Sequence, residues 1–202
     1  MPVITAIARR RNGVVAITVD GEPDSHVVPL ELVIEHGLHE GAQFAADDWV
    51  RIRRQAGQRL AVRRALELLA RKHRTEAELH SALGRRFHTD EVAHAVARMR
   101  ELGYLDDHAW ASTYVASGRS QLRGSALLRQ ELTQHGVPGD MAARVLEEHD
   151  DLEAALAAAR RRLTALGRLD EQQIRRRLYD FLRRRGFDHS IARVVLERLV
   201  AP

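Results

Sequence analysis

Apolar residues change rhythm near residue 50. Before it, two short runs rich in β-branched residues, Ile4 to Ala8 and Val14 to Val19, flank Asn12-Gly13, a pair that tolerates positive φ and marks hairpin turns. A second turn at Asp20-Gly21 leads toward a third strand at His26 to Val28. A short helix is expected from Leu30 to His36, closed by Gly37, with another break at Gly41. From about Asp47 onward the period becomes helical. Val62, Ala65, Leu66 and Leu69 stand at i, i+3, i+4 and i+7, leaving Arg63, Arg64 and Glu67 outside, the pattern of an amphipathic helix.

The helical part also repeats at a spacing of fifty residues. Phe87, Val137 and Phe187 each follow one predicted helix and precede another; Leu83, Leu132 and Leu182 lie upstream, and Val92, Met141 and Ile191 downstream. Gly136 and Gly186 precede the second and third of these positions, whereas Arg86 precedes the first. A locally different first turn, one residue longer on its far side, is therefore expected. Capping chemistry marks the helix starts: Thr75 with Glu78, Thr89 or Asp90, Asp107, Ser125, Pro138, and Asp170 with Gln173. Gly103 stops one helix.

The expected fold is mainly α. Three tandem three-helix repeats, at 58–104, 105–150 and 151–202, form an elongated array after a small β-rich N-terminal segment at 1–50. Each module alone would leave an apolar face in water, so stacking of modules is the expected remedy.

Composition removes several functions. The 202 residues contain no cysteine, which excludes disulfides, thiolate metal sites and thiol catalysis. The first ten residues lack a signal-peptide core and no apolar run approaches the roughly 20 residues of a bilayer span, so a cytoplasmic protein with no membrane attachment is expected. No glycine-rich phosphate loop is present. His36 and His39 lack a third ligand at metal-site spacing, and no nucleophile and base stand in a catalytic pattern. Neither an enzyme nor a cofactor is expected.

The net charge of +4 hides a reversal. Asp140 to Ala159 holds six acids and one base, whereas Arg160 to Arg198 holds twelve arginines and five acids. Such an excess attracts phosphates or an acidic protein surface. Lys72 is the only lysine, so a compositional preference for arginine is the plainer explanation of part of it.

The phrase Gly103-Tyr104-Leu105-Asp106-Asp107, taken with Ala65-Leu66, Glu78-Leu79, Gln130-Glu131-Leu132 and the run Leu178 to Phe187, resembles the RecX family of bacterial recombinase regulators. The resemblance extends from about residue 60 to the end. It implies a non-catalytic protein of homologous recombination and DNA repair that binds the RecA filament on single-stranded DNA and limits its extension, ATP hydrolysis and strand exchange. Members often carry Gly-Pro-Arg-Arg before the middle Gln-Glu-Leu. Here Gly124 is followed by Ser125, Ala126 and Leu127, and only Arg129 remains among the basic positions.

The helix from Glu171 to Arg185 offers the best contact surface. Ile174, Leu178, Phe181 and Leu182 share one side, while Arg176, Tyr179 and Arg183 fall on the other. Arg184, Arg129 and Arg161 complete the candidate set for contacts to RecA or single-stranded DNA. The competing expectation is a solvated face on which Asp180 pairs with Arg176 and with Arg183 or Arg184. Tyr104, Trp110 and Tyr114 fit buried stripes better than base stacking, and Asp106 with Asp107 fit helix capping better than metal binding. Two other functions compete with filament binding: a helical DNA-binding protein, sequence-tolerant or of helix-turn-helix type, and a passive helical scaffold. A monomer is the default expectation.

Overall fold

The computed structural model describes residues 1–20, 22, 24–118, 120–166 and 170–200; Gly21 of the second expected turn and Arg168 of the arginine run lie outside them. The chain folds as two compact units, Met1–Leu105 and Asp106–Pro202.

In the first unit β1 (Ile4–Arg9), β2 (Val14–Val19) and β3 (His26–Pro29) form an antiparallel sheet in that order. The Asn-Gly turn is where the sequence places it, with φ of 64° at Asn12 and 66° at Gly13. The inner sheet face, Val15, Ile17, Val19 and Val28, packs on Leu32 of α1 (Leu30–Glu35), on Leu38, and on Trp49, Ile52 and Ala56 of α2 (Ala46–Leu69). The 24-residue α2 runs unbroken from that sheet core into the first helical triplet. There Ala61, Ala65 and Leu68 meet α3 (Glu76–Leu83) and α4 (Thr89–Glu101).

The facing of α2 differs from expectation by about one position. Leu66 is 39% exposed and Val62 and Leu69 are half-buried, while Ala61 and Ala65 are fully buried. Small residues win the inner face because α2 lies close against α4: at Gly57 the Glu91 carboxylate occupies the space a β-carbon would need. α8 also turns small residues inward. Its core face is Ala154, Ala155, Ala158 and Ala159, with Leu152, Leu156 and Leu163 only partly buried.

The second unit holds two more triplets: α5 (Asp107–Ala116), α6 (Ser125–Gln134) and α7 (Gly139–Leu146), then α8 (Asp151–Leu163), α9 (Glu171–Arg184) and α10 (His189–Leu199). Equivalent positions are buried in all three triplets: Leu79, Leu128 and Leu178; Leu83, Leu132 and Leu182; Val92, Ala142 and Ala192; Val96, Leu146 and Leu196. Met141 and Ile191, expected at the third of these positions, are only partly buried. Each triplet encloses its own apolar cluster, and Leu122, ahead of α6, packs against that of the third. Three short helices with alanine at their contacts approach closely enough to close a core among themselves.

The connections explain the missing glycine. Val137 N–H donates to Leu132 O at 3.0 Å and Phe187 N–H to Leu182 O at 3.3 Å, spanning five residues, while Phe87 N–H donates to Leu83 O at 3.1 Å, spanning four. Gly136 and Gly186 take φ of 81° and 85°, as the terminal residue of a helix reversal does. The first turn is thus one residue shorter on its near side, and the residue it lacks is the left-handed one; its far side, from Phe87 to Val92, matches the others. The caps fall at Thr75 and Asp170 as read, whereas α4 is capped at His88 and α5 at Asp106, whose carboxylate accepts from Ala109 N–H at 2.8 Å.

Candidate interaction surface

α9 is built to hold one face in and one out. Asp170 caps it by accepting from Gln173 N–H at 2.8 Å. Leu178 and Leu182 are fully buried, and Ile174, Phe181 and Tyr179 pack partly against the same cluster. On the opposite side Arg176, Arg177, Asp180, Arg183 and Arg184 are all exposed, as a helical period requires once Leu178 and Leu182 point inward. Four guanidiniums therefore surround a single carboxylate. Asp180 forms no ion pair among the described residues, and neither do Arg176, Arg177, Arg183 and Arg184, so the expected self-neutralised face is not formed.

These residues are not equally available. Arg183 donates from Nη1 to Phe187 O at 2.9 Å, tying the α9–α10 turn to its own helix. Tyr179 shares a 3.0 Å hydrogen bond between its hydroxyl and His189 Nδ1, with the two rings edge to face at 5.9 Å. Arg176, Arg177 and Arg184 carry no such tie among the described residues. Arg177 was not singled out by the sequence reading, although it stands seven residues before Arg184 on the same flank. Arg161 on α8 and Arg129 on α6 are exposed, and neither shares a hydrogen bond or ion pair with α9 among the described residues.

Behind this face lies a polar junction between the second and third triplets. Phe181 sits beneath two guanidiniums, Arg185 at 4.8 Å and Arg162 at 5.7 Å from the ring centre, a cation–π arrangement. Arg185 also donates to Leu122 O at 3.0 Å, and its backbone carbonyl accepts from Gly124 N–H at 2.8 Å. Burial, reinforced by the nearby Arg123 charge, lowers the proton affinity of Arg185. Arg123 is held by Glu131 at 2.5 Å, and the same carboxylate accepts from Tyr114 Oη at 3.1 Å. Burial first, and then that bond to Glu131, raise the Tyr114 phenol above its usual range. Ser125 N–H and Oγ both donate to Asp151 Oδ1, at 2.7 and 2.9 Å. The second and third triplets are therefore locked through hydrogen bonds that leave the outer face of α9 untouched.

The aromatic residues divide. Trp110 and Tyr114 stack at 5.2 Å with His135 against both rings, half-buried beside the second core. Tyr104, expected in a core, is 57% exposed: the reversal at Gly103, φ 73°, turns the chain so that Leu105 enters the first core instead. His36 and His39 do not converge. His36 bonds Gln55 at 3.0 Å and His39 bonds Glu40 O at 2.9 Å.

Comparison with known proteins decides the family. A regulatory protein RecX of Prosthecochloris aestuarii is 34% identical over 145 residues, covering 70% of this chain and 95% of that protein. The chain belongs to the RecX family. A second RecX protein, from Chlorobaculum tepidum, is 35% identical over 135 residues, covering 66% of this chain and 84% of its own. Residues 149–196 match the RecX third three-helix domain. A solved RecX structure superposes with a TM-score of 0.70 at 23% identity, over 98% of this chain and all of that one, which establishes the shared fold. The matched RecX domain contains α9 and its four exposed arginines. Among the described residues no helix is long and apolar enough to cross a membrane.

Proposed function

We propose that this RecX-family chain is a non-enzymatic, cytoplasmic regulator that binds the RecA filament on single-stranded DNA as a monomer and limits its recombinase and ATPase activity. The observation that carries the reading is the α9 face. Arg176, Arg177, Arg183 and Arg184 are exposed around one acid and form no ion pair within the described residues. Arg176, Arg177 and Arg184, unlike Arg183 with its bond to Phe187 O, can meet a carboxylate or phosphate without first breaking a bond, and the planar guanidinium fork suits both. The twelve arginines from Arg160 to Arg198 add a field that favours approach to a polyanionic assembly.

The test uses RecA assembled on single-stranded DNA. The wild-type chain co-sediments with the filament and lowers its ATP turnover. The variant Arg176→Glu/Arg177→Glu/Arg184→Glu, which spares Arg183 and its bond to Phe187, binds at least about tenfold more weakly with unchanged helicity and melting temperature, as expected when charge-assisted contacts become repulsive. A wild-type chain that neither binds the filament nor alters turnover ends this reading. A variant that still binds moves the contact away from α9.

A further inference from the structure

The first unit carries a second basic feature, on its sheet rather than on a helix. Arg9, Arg10 and Arg11 follow one another at the end of β1 and in the turn to β2; all three are exposed and none forms an ion pair among the described residues. Residues 1–19 contain these three arginines and no acid; among the described residues the one carboxylate bonded to β1 is Glu40, which accepts from Ile7 N–H at 2.9 Å. At a strand rise of about 3.4 Å per residue, three cations fall within about 7 Å of backbone.

The tip is fixed before any partner arrives. Arg10 N–H donates to Val14 O at 3.0 Å, Leu30 N–H donates to Gly13 O at 3.0 Å, and Asn12 and Gly13 hold positive φ. Arg63 on α2 donates to Asn12 O, bringing a fourth guanidinium against the turn. The opposite sheet face is spent on the core, anchored by Ile17, Val19 and Trp49.

From this arrangement we infer that the β1–β2 hairpin tip is a contact site for the phosphodiester backbone of nucleic acid. Phosphate contacts need cations and polar donors and no apolar anchor. The tip offers arginines, Asn12 and Gly13, and lacks the aromatic or aliphatic centre around which protein interfaces are organised. Duplexes and single strands present the same phosphates to such a tip. The site belongs to the first unit, α9 to the second, and it requires no RecA.

The experiment measures binding of the full chain to a labelled 25-nucleotide oligo-dT and to a 25-base-pair duplex by fluorescence anisotropy across a salt series, without RecA. Replacing Arg9, Arg10 and Arg11 together by Gln weakens binding tenfold or more at low salt. It also reduces the slope of log affinity against log salt, by about 2 on the single strand, where each lost phosphate contact removes about 0.7, and by about 2.7 on the duplex, where each removes about 0.9. The triple Lys variant keeps the slope. Unchanged affinity and slope in a folded Gln variant overturn the inference. So does a Gln variant that keeps its DNA affinity yet loses binding to DNA-free RecA, since the tip would then read an acidic protein surface. Should the Gln variant misfold, photo-crosslinking of the wild-type chain to thiothymidine-substituted DNA answers the same question. Crosslinks at residues 8–13 support the site, and crosslinks confined to other segments overturn it.

Discussion

The first and third helical triplets are built on equivalent cores and differ in the arginine-rich face of α9. Leu79 and Leu178, Leu83 and Leu182, Val92 and Ala192 fill equivalent buried positions. Around the first core three pairs stand out, Arg54 with Asp90 at 3.2 Å, Arg100 with Glu76 at 3.1 Å and Arg98 with Glu101 at 3.0 Å, and the third has Arg175 with Glu171 at 3.9 Å and Arg193 with Glu197 at 3.4 Å. On α9 four arginines form no ion pair among the described residues, and Arg183 is held by Phe187 O at 2.9 Å. Exposed pairs contribute about 0–1 kcal/mol, whereas burying one leucine contributes about 1.5–3 kcal/mol, so folding constrains the shared interior far more than the surface charge. The third triplet can therefore leave its arginines open to a partner while keeping the architecture of the first.

The strongest way to break that comparison is to remove the shared leucine. Leu178→Ala and Leu79→Ala, both fully buried in the native chain, should each cost about 2–5 kcal/mol in denaturant unfolding, the range for a truncated core leucine. Equal losses support equivalent cores. A near-neutral Leu178→Ala would place that side of α9 outside the core and reverse the assignment of its arginine face.

Next in size is the turn. Gly186 has φ of 85°, and a β-carbon there would lie 2.5 Å from Leu127 Cβ and 2.6 Å from Leu127 N. Gly186→Ala combines a left-handed cost of about 1–2 kcal/mol with overpacking of about 1–3 kcal/mol. Arg86→Ala, at the exposed first turn, should stay within about 0.5 kcal/mol. The contrast sharpens what the glycine does: it lets the α9–α10 turn press its backbone against the start of α6, where Gly124 in turn has no room for a side chain because Phe187 N would lie 2.7 Å from its β-carbon. Similar losses in the two variants would mean that the junction relaxes freely.

That junction marks the limit of what the chain reveals before it is folded. The hairpin, the strand ends and most helix caps are written locally, in Asn12-Gly13, Thr75, Asp170 and Gly103, because turn and cap chemistry involves neighbours in sequence. Arg176, Arg183 and Arg184 of α9 were legible for the same reason, since Leu178 and Leu182 fix which side remains outside, and Arg177 follows from the same two leucines although it was not singled out. The inner faces of α2 and α8 were not, since alanine stripes carry little hydrophobic signal and their value appears only when another helix comes close. On α2 the exposed Leu66 carries more hydrophobic signal than the buried Ala61. Arg123 with Glu131, and Arg185 with Leu122 O, join residues 8 and 63 positions apart, and no periodicity announces such pairs.

The smallest expected effect separates the triplets at their last helices. α4 starts with Glu91 reaching back to accept from His88 N–H at 2.9 Å, whereas α10 starts with Asp188 reaching forward to accept from Ile191 N–H at 2.8 Å and Ser190 Oγ at 2.8 Å. The Ile191 bond first, and then Ser190, hold the Asp188 carboxyl below its usual range against a small opposing effect of burial. A carboxyl lowered in the folded state stabilises it above the unfolded value of about 3.9, and that contribution disappears as pH falls through the lower folded value. Asp188→Ala should cost about 1 kcal/mol at pH 7. Asp188→Asn, which keeps an oxygen at the cap and removes the charge, should cost less, and its deficit relative to the wild type should shrink as pH is lowered from 5 to 3. A deficit that stays constant across that interval would show that the carboxylate's charge adds nothing to the cap, leaving only the hydrogen bond to distinguish the start of α10 from that of α4.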